Sequence, residues 1–424
     1  MQIQDISSAV IILIAALTAL CLLIRPFRLP EAVWAMAAAV ILVAAQLLPL
    51  SDALAGVGKG LDVYLFLIGM MMISDIARKE GLFDWMAAIA TSHAKGSPRR
   101  LFVLMYLVGI LVTVFMSNDA TAVVLTPAVY AACKAAKVRD PFPYLLICAF
   151  IANAASFVLP ISNPANLVIF SGGHMPPLGD WLRVFALPSV VAVLVTFVAL
   201  YLTQRRALAE DSLATDVETP TLGHGAKVAG FGLIATAIGL IIASALNVDL
   251  GWPTFIAGVA TLALVAILNR ESPLVPLKEV SWSVIPLVAG LFVVVEALGR
   301  TGMIEALAGQ ITRNIDVAPA LTAGVAGLAT GLVANIVNNL PAGLVAGSVV
   351  QAAHAQGAVS ASMLIGIDLG PNLSITGSLA TILWLNALKR EGIEVGFWRF
   401  IRIGAVVMLP ALILTLASVS LIAK

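Results

Sequence analysis

The sequence predicts an all-α integral membrane protein with about ten transmembrane helices, two re-entrant hairpins and two repeats of inverted topology. Three observations lead to this fold class. Of the 424 residues, 61% are hydrophobic and 11% are charged, and the mean hydropathy is +1.04. Apolar stretches of about 20 residues, the length that a helix needs to cross a bilayer, recur along the chain. Several motifs of the first half return in the second half in the same order.

Composition and motifs exclude several classes of protein. The formal net charge is +1 and there is no long basic or acidic tail, which argues against a nucleic-acid partner. The sequence has no HExxH or other metal spacing, no glycine-rich phosphate loop and no nucleophile elbow. We therefore expect no enzyme, no cofactor and no structural metal. Ile6–Ile24 follows MQIQD without a basic region, and we interpret it as a retained helix rather than a signal peptide.

Ten segments are long and apolar enough to be predicted as spans. Eight are continuous, at 6–24, 31–50, 61–78, 184–204, 228–246, 252–269, 281–298 and 403–423. Two more, at 143–171 and 361–388, are interrupted by Pro, Asn, Gly and Ser and are predicted to be broken helices. The regions 101–134 and 318–354 have apolar arms around a polar centre, and we interpret them as hairpins that enter and leave on one side.

The loops between these segments can be tested with the positive-inside rule. With the N-terminus outside, 19 of the 24 Lys and Arg residues fall in inside loops and 5 fall outside. This distribution predicts that both termini lie on the outer side of a prokaryotic inner membrane.

Three motifs of the first half recur in the second half. The first match joins 69–87 to 290–308 at an offset of 221. The second joins VFMSNDATAVVLTP to ANIVNNLPAGLVAG at an offset of 220, and so pairs Asp119 with Asn339. The third joins LPISNPANLV to LSITGSLATI at an offset of 214. Three matches in one order indicate an internal repeat.

These matches divide the chain into two repeats. The first is predicted at 1–204 and the second at 228–424, and the polar segment 205–227 is predicted to be a cytoplasmic linker. Each repeat contains five spans and one hairpin, and because five is odd, the second repeat crosses the membrane in the opposite direction. Inverted repeats of this kind are typical of secondary transporters, which bind substrates near the bilayer midplane where helices are broken.

The polar breaks are the candidate functional site, since inverted symmetry is expected to bring them together. They fall at four places: 117–119, 160–166, 337–341 and 370–378. Asp119 is the first candidate for proton coupling and Asp368 is the second, because burial disfavours a charged carboxyl group while a bound ion or substrate favours it. The candidate substrate ligands are neutral amides and hydroxyls: Ser117, Asn118, Ser162, Asn163, Asn166, Asn338, Asn339, Asn372, Thr376 and Ser378.

Simpler interpretations compete with this one. Asn and Ser in membrane helices often only hydrogen-bond neighbouring helices. Taken singly, each candidate ligand is as consistent with a structural role as with binding, and only the four breaks together favour a site. Asp75 and Glu296 lie close to Arg78 and Arg300 near helix ends, so we expect them either to form ion pairs or to reach the membrane interface.

At these motifs the sequence resembles the ion transporter superfamily, and within it the ArsB-type arsenite efflux permeases. FMSNDATAVVLTP and VNNLPAGLV are similar to the tips of that family's two hairpins. LPISNPANLVIF and DLGPNLSITGSLATILW are similar to its two broken helices, and the resemblance covers nearly the whole chain. Dicarboxylate members of the superfamily carry Ser-Asn-Thr at the tips. This sequence has Ser-Asn-Asp and Val-Asn-Asn instead, which argues against a carboxylate substrate.

The resemblance implies a secondary active transporter that exports arsenite or antimonite as the neutral trihydroxide, in exchange for protons and by alternating access. It implies a surrounding lipid bilayer and, in some members, a cytoplasmic arsenite-stimulated ATPase as partner. Trivalent arsenic binds thiols tightly, yet Cys21, Cys133 and Cys148 all lie away from the predicted breaks. We therefore expect the metalloid to bind at the breaks without thiol coordination.

Other functions stay open. The main alternative is a sodium/proton antiporter of the related NhaD type, in which Asp119 and backbone carbonyls coordinate sodium. Asn339 stands where a second carboxylate would be expected, which disfavours this alternative. A passive channel would carry flux without proton exchange, and a membrane scaffold would tolerate Asp119→Asn without a transport defect.

Overall fold

The computed structural model describes residues 2–171, 175–214, 221–270, 272 and 280–422. Helices make up 81% of the structure, and these residues contain no strand. The helices of the first half are α1 (Gln2–Ile24), α2 (Glu31–Ala44), α3 (Leu50–Lys59), α4 (Leu61–Lys79), α5 (Leu82–Ala94), α6 (Pro98–Phe115), α7 (Asn118–Ala120), a π-helix (Thr121–Leu125), α8 (Thr126–Ala135), α9 (Phe142–Ala154), α10 (Pro164–Ile169) and α11 (Leu178–Glu210). Those of the second half are α12 (His224–Ala245), α13 (Gly251–Asn269), α14 (Val284–Gly299), α15 (Met303–Ile315), α16 (Pro319–Val337), α17 (Asn339–Ala352), α18 (Ala358–Leu369), α19 (Leu379–Arg390) and α20 (Phe397–Ile422).

The helices of the structure can be compared with the roughly ten spans that the sequence predicts. By length and composition, seven described helices can cross a membrane, or up to nine if the bent pairs α3–α4 and α14–α15 each form one span. Helix α2 has 14 residues and α9 has 13, both short of the roughly 20 that a straight span needs. Conversely, α6 and α16, the first arms of the hairpins, qualify with 18 and 19 residues. Length alone therefore does not separate a hairpin arm from a span.

One predicted boundary is wrong. The span predicted at 31–50 ends at Ala44, where α2 stops before a turn that leads into α3. The linker at 205–227 stays a prediction, and its two ends are helical, because α11 continues to Glu210 and α12 begins at His224. Within that linker, 215–220 lie outside the described residues.

The two halves share one order of elements. In each half a long helix turns at a glycine into a shorter helix, followed by a hairpin, a broken helix and a long final helix. Gly81 begins α5 and Gly302 begins α15, and both have a φ of 77°, a conformation that favours glycine. The opposite membrane orientation of the two halves stays a prediction.

Helix ends define the register of the repeat at the hairpins. The second arm is capped by Ser117 in the first half and by Asn338 in the second, an offset of 221 rather than 220. Counted from the caps, Asp119 therefore corresponds to Leu340 and not to Asn339. In this register the carboxyl group of the first tip corresponds to an apolar side chain in the second tip, and not to an amide.

Glycines let two pairs of helices pack closely. Gly69 on α4 faces Gly258 on α13, and a Cβ at Gly69 would lie 2.3 Å from the Thr254 carbonyl oxygen. Gly290 on α14 faces α2, where a Cβ would lie 2.6 Å from the Ala35 carbonyl carbon. Small residues at such crossings allow backbone contact within membranes. We call α2, α4, α13 and α14 the scaffold.

The hairpins and broken helices interlock across the two halves. Helix α10 of the first broken helix packs on α17 of the second hairpin, where a Cβ at Gly347 would lie 2.6 Å from the Ile169 carbonyl oxygen. Helix α19 of the second broken helix packs on the second arm of the first hairpin, and α11 packs on α20. We call this group, α6–α11 and α16–α20, the core.

We predict that Gly69→Ala weakens the scaffold, because its Cβ would overlap the Thr254 carbonyl. Overpacking of this kind typically costs about 1–3 kcal/mol. Thermal unfolding of the purified protein should show a lower Tm for Gly69→Ala. Gly239→Ala on α12, where a Cβ would meet no atom within 4 Å, is the matched control and should unfold like the wild type. Equal Tm values for both variants would contradict the close crossing.

Candidate functional site

The tip of the first hairpin lies between Phe115, the end of α6, and Asn118. Ser117 is buried and caps the second arm, with its Oγ accepting a hydrogen bond from Ala120 N–H at 3.1 Å. Asn118 is also buried, and its Oδ1 accepts from Asp119 N–H at 2.9 Å. The Asp119 carboxyl group is half-buried, and no group in the described ranges donates a hydrogen bond to it. The tip therefore presents one free carboxyl group.

The first broken helix is interrupted between α9 and α10. Asn166 holds this break in place, because its Nδ2 lies within 3.4 Å of the carbonyl oxygens of Ser156, Leu159 and Pro160. Carbonyl groups that lose their helical partners at membrane depth need such donors. The NH₂ group of Asn166 thus has a structural role, and its buried Oδ1 has no partner among the described residues.

A carboxyl–amide contact joins the two broken helices. Asn163 caps α10 through its Oδ1, which accepts from Ala165 N–H at 3.0 Å. Its Nδ2 donates to Asp368 Oδ1 at 2.7 Å. Asp368 lies at the end of α18, is 1% exposed, and its Oδ2 has no partner within the described chain.

A second contact between the broken helices is made by two amides. Asn153 on α9 donates from Nδ2 to Asn372 Oδ1 at 3.0 Å. Asn372, in the break after α18, donates from its own Nδ2 to the Phe150 carbonyl oxygen at 2.9 Å. At the far side of this break, the Oγ of Ser378 caps α19 by accepting from Thr381 N–H at 3.1 Å.

The tip of the second hairpin is a single residue in an unusual conformation. Asn338 has φ 75° and ψ 154°, a region populated almost only by glycine. Its Oδ1 accepts from Leu340 N–H at 3.3 Å and its Nδ2 donates to the Thr376 carbonyl oxygen at 3.4 Å. The next residue, Asn339, donates its N–H to the Gly377 carbonyl oxygen at 2.9 Å, and its buried Oδ1 has no described partner.

Hydrogen bonds connect all four breaks. The Ser162 Oγ donates to the Val114 carbonyl oxygen at 2.9 Å, which ties the first broken helix to the last turn of α6. The contact of Asn163 with Asp368 then joins the first broken helix to the second, and Asn339 joins the second to the other hairpin. The breaks lie together, as the sequence predicted. Their role in binding stays a prediction.

The candidate ligands divide into two groups. Nine of the ten have polar side-chain atoms engaged in hydrogen bonds: Ser117, Asn118, Ser162, Asn163, Asn166, Asn338, Asn372, Thr376 and Ser378. Oxygens without a described partner belong to Asp119, Asn166, Asn339 and Asp368. The second group is the one that can accept hydrogen bonds from a bound molecule.

Sequence reasoning missed two asparagines that hold the breaks together. One is Asn153, and the other is Asn335, whose Nδ2 donates to the Gly370 carbonyl oxygen at 2.9 Å while its Oδ1 accepts from Ser374 Oγ at 2.8 Å. Each stands alone in an apolar helical stretch, in IANAAS and in VANIV. An isolated amide at membrane depth needs a partner, and this signal could have identified both.

The carboxylates that were expected to form ion pairs do so. Asp75 pairs with Arg78 at 3.5 Å, as predicted. Glu296 pairs with Lys59 at 2.7 Å and not with Arg300, which pairs with a different carboxylate. Both acidic groups are thereby removed from the candidate site.

The site contains no buried cation. Among the residues that the structure describes, the buried polar side chains are Ser, Thr, Asn, Gln and a single carboxyl group, Asp368, with no Lys, Arg or His. A cavity of about 290 Å³ approaches the end of α10, and Lys59, Asp62, Asp249 and Ser171 are among its lining residues. The described buried side chains at the breaks are neutral or acidic.

Broken helices, hairpins and a closely packed scaffold define a multi-pass helical membrane transporter. The solved structure of the YdaH transporter of Alcanivorax borkumensis has the same fold, with a TM-score of 0.58 over 87% of each chain at 13% identity. That structure was reported to have an unusual topology.

The chain belongs to the CitMHS, or citrate transporter, family, which it matches over residues 9–367. The arsenical pump membrane protein of Yersinia enterocolitica is 27% identical over 373 residues, covering 84% of this chain and 85% of the relative. The arsenical pump membrane protein of Escherichia coli is 28% identical over 374 residues, with the same coverage. An uncharacterized transporter of Mycobacterium tuberculosis is 28% identical over 82% of each chain. The resemblance to the ion transporter superfamily is confirmed, and the protein is a transporter and not an enzyme.

The conformation of Asn338 gives a prediction for stability. Asn338→Ala removes the cap on Leu340 N–H and keeps a Cβ in a strained conformation, whereas Asn338→Gly removes the cap and relieves the strain. We expect the alanine variant to be less stable than the glycine variant by about 1–3 kcal/mol. Thermal unfolding of both purified variants measures the difference. A glycine variant no more stable than the alanine variant would argue against strain at this tip.

Proposed function

We propose that the protein is a secondary active transporter that exports arsenite and antimonite, as the neutral trihydroxides, in exchange for protons and by alternating access. The observation that carries this proposal is the neutral to acidic character of the breaks, whose described buried side chains include amides, hydroxyls and a carboxyl group but no cation. The names of two relatives, both arsenical pump membrane proteins, support the same substrate.

Citrate, the substrate in the family's name, suits this environment poorly. A buried carboxylate needs charged or multiple hydrogen-bond donors, and Arg is the residue that most often supplies them. The carboxyl groups of Asp119 and Asp368 would instead repel an anionic substrate. A neutral trihydroxide has hydroxyl groups that both donate and accept, which matches amides, hydroxyls and unpartnered oxygens.

The coupling of substrate to protons is assigned to Asp119. This carboxyl group lies at a hairpin tip, is half-buried, and receives no hydrogen bond from the described residues. A proton and a substrate hydroxyl can therefore compete for the same oxygens. Asn118 beside it and Asn339 on the other tip are the proposed neutral ligands, with Asn163 as a further amide at the break between them.

Alternating access follows if the core moves against the scaffold. The scaffold helices cross at glycines in two pairs, α4 with α13 and α14 with α2. Helix α10 contacts α4 and α17 contacts α14 at the boundary between the core and the scaffold. A displacement along this boundary would carry all four hydrogen-bonded breaks together. We propose that this displacement exposes the site first to one side of the membrane and then to the other.

The proposed setting is a prokaryotic inner membrane with both termini on the outer side, as the distribution of Lys and Arg predicts. The lipid bilayer is then the surrounding medium. A cytoplasmic arsenite-stimulated ATPase is a proposed optional partner. The basic segment 78–100 is the candidate contact surface, although the positive-inside rule explains its Lys and Arg residues better.

A sodium/proton antiporter is the alternative function. The unpartnered oxygens of Asp119 and Asp368 favour it, because carboxylate oxygens together with unwound backbone carbonyls are suitable ligands for sodium. Arsenite is preferred because of the relatives' names.

Transport into everted membrane vesicles with an imposed proton gradient tests the proposal. The wild type should take up arsenite when the gradient is applied, and Asp119→Asn should lose gradient-driven uptake at least tenfold, since an amide cannot release a proton. Asp180→Asn is the control, because Asp180 is exposed and pairs with Arg183 at 3.0 Å. Sodium-dependent collapse of the gradient without arsenite uptake would favour the alternative.

The cysteines give a second prediction. Cys133 and Cys148 are buried free thiols, and the described residues contain no group of three His, Cys, Asp or Glu that could hold a metal ion. Replacing Cys21, Cys133 and Cys148 together by Ala should leave arsenite transport within about twofold of the wild type. Uptake normalised to the amount of folded protein measures this. A folded triple variant without transport would show that thiols bind the metalloid.

A further inference from the structure

Asn153 and Asp368 occupy equivalent positions in the two halves. Helices α9 and α18 end, and helices α10 and α19 begin, at a common offset of 215 residues. Both residues are the last but one of their helix and are 0% and 1% exposed. Asn153 hydrogen-bonds to Asn372 and Asp368 to Asn163, so each contacts the break of the opposite helix.

The hydrogen bonds around this pair fix the orientation of the amides. Asn163 uses its Oδ1 to cap α10, so its Nδ2 must face Asp368 Oδ1. Asn372 uses its Nδ2 on a carbonyl oxygen of α9, so its Oδ1 must face the Nδ2 of Asn153. The two remaining oxygens, Asp368 Oδ2 and Asn153 Oδ1, are acceptors, and neither has a donor in the described chain. Leaving two such acceptors buried and unpaired is costly.

The surroundings of these oxygens are negative. Both lie in the last turn of a helix, where the unpaired carbonyl groups carry partial negative charge. Helices α9 and α18 contact each other, so the two helix ends are neighbours. No Lys, Arg or His is buried among the described residues to balance this charge.

We infer that Asp368 and Asn153 form a binding site for one small monovalent cation, a proton or Na⁺, between the ends of the two first half-helices. A proton on Asp368 Oδ2 would turn one unpaired acceptor into a donor. A sodium ion would instead be coordinated by both oxygens and by backbone carbonyls of the breaks. The site is separate from the hairpin tips, and its part in coupling rests on the proposed transport function.

Infrared spectroscopy and thermal unfolding of the purified full-length protein, without arsenite, test the site. The conditions are choline chloride and NaCl at equal concentration, for the wild type and Asp368→Asn. A protonated-carboxyl band that Asp368→Asn removes and NaCl leaves unchanged identifies the proton as the ligand. A rise of Tm in NaCl that Asp368→Asn removes identifies Na⁺. If Asp368→Asn removes neither signal, the proposal is overturned.

Exchange of the two residues tests the pairing. The double variant Asn153→Asp/Asp368→Asn moves the carboxyl group to the equivalent position and should restore whichever signal Asp368→Asn had removed. The control Asn372→Asp/Asp368→Asn moves it to a residue whose NH₂ group is needed by the Phe150 carbonyl, and should not. The pairing is overturned if the exchange variant folds but does not regain the signal. It is also overturned if the control variant regains the signal.

A single variant decides the matter if the exchange variant does not fold. Asn153→Ala removes one proposed ligand. If Na⁺ is bound, this variant should bind it about tenfold more weakly, and if a proton is bound, the carboxyl band should shift. A signal identical to that of the wild type contradicts the site. None of these measurements uses arsenite or transport. If the wild type transports arsenite but shows neither signal, the cation site alone is overturned. If the wild type shows a signal that Asp368→Asn removes but transports no arsenite, the arsenite proposal alone is overturned.

Discussion

The need to satisfy backbone polar groups inside hydrocarbon governs this structure. A helix that breaks at membrane depth leaves N–H and C=O groups unpaired, and lipid offers them no partner. Here asparagine side chains take that role, as when Asn166 serves three carbonyl oxygens of one break and Asn335 serves a carbonyl of another. The site can exist because these amides make the interruptions stable. Only the side-chain oxygens that have no partner in the described chain can accept a hydrogen bond from a ligand.

The same constraint separates the two groups of helices. The scaffold helices meet in pairs at glycines, with backbone against backbone. The core is held by directional hydrogen bonds that cross between the halves, from Asn163 to Asp368 and from Asn153 to Asn372. Such bonds join the broken helices of the two halves, and the proposed movement of the core as one unit rests on them.

The type and order of the elements could be predicted from the sequence, because hydropathy and the positions of Pro, Asn and Gly are local properties. The residues at which the helices begin and end could not be predicted. The span predicted at 31–50 stops at Ala44, and the hairpin register differs by one residue because the caps Ser117 and Asn338 were not recognised. Burial of the breaks was predictable.

The contacts across the halves were not predictable, since they depend on how α9 and α18 pack. Asn166 shows the limit of reasoning from residue type. Its position within a break is that of a ligand, but the three-dimensional arrangement gives its NH₂ group to the backbone. Asn153 shows the reverse case, since it stands outside the recurring motifs and emerges as the counterpart of Asp368 only when the helix ends are aligned.

The distance along the chain between these partners has a consequence for biosynthesis. Asn153 and Asn372 are 219 residues apart, so at a synthesis rate of roughly 5–20 residues per second the first broken helix waits on the order of 10–40 seconds for its partner. During that interval the Asn153 amide lacks its Asn372 partner, whereas Asn166 already bonds carbonyl groups of its own half. The N-terminal half is thus an unfinished membrane domain when it leaves the ribosome, and its polar centre closes only after the last third of the chain has been inserted.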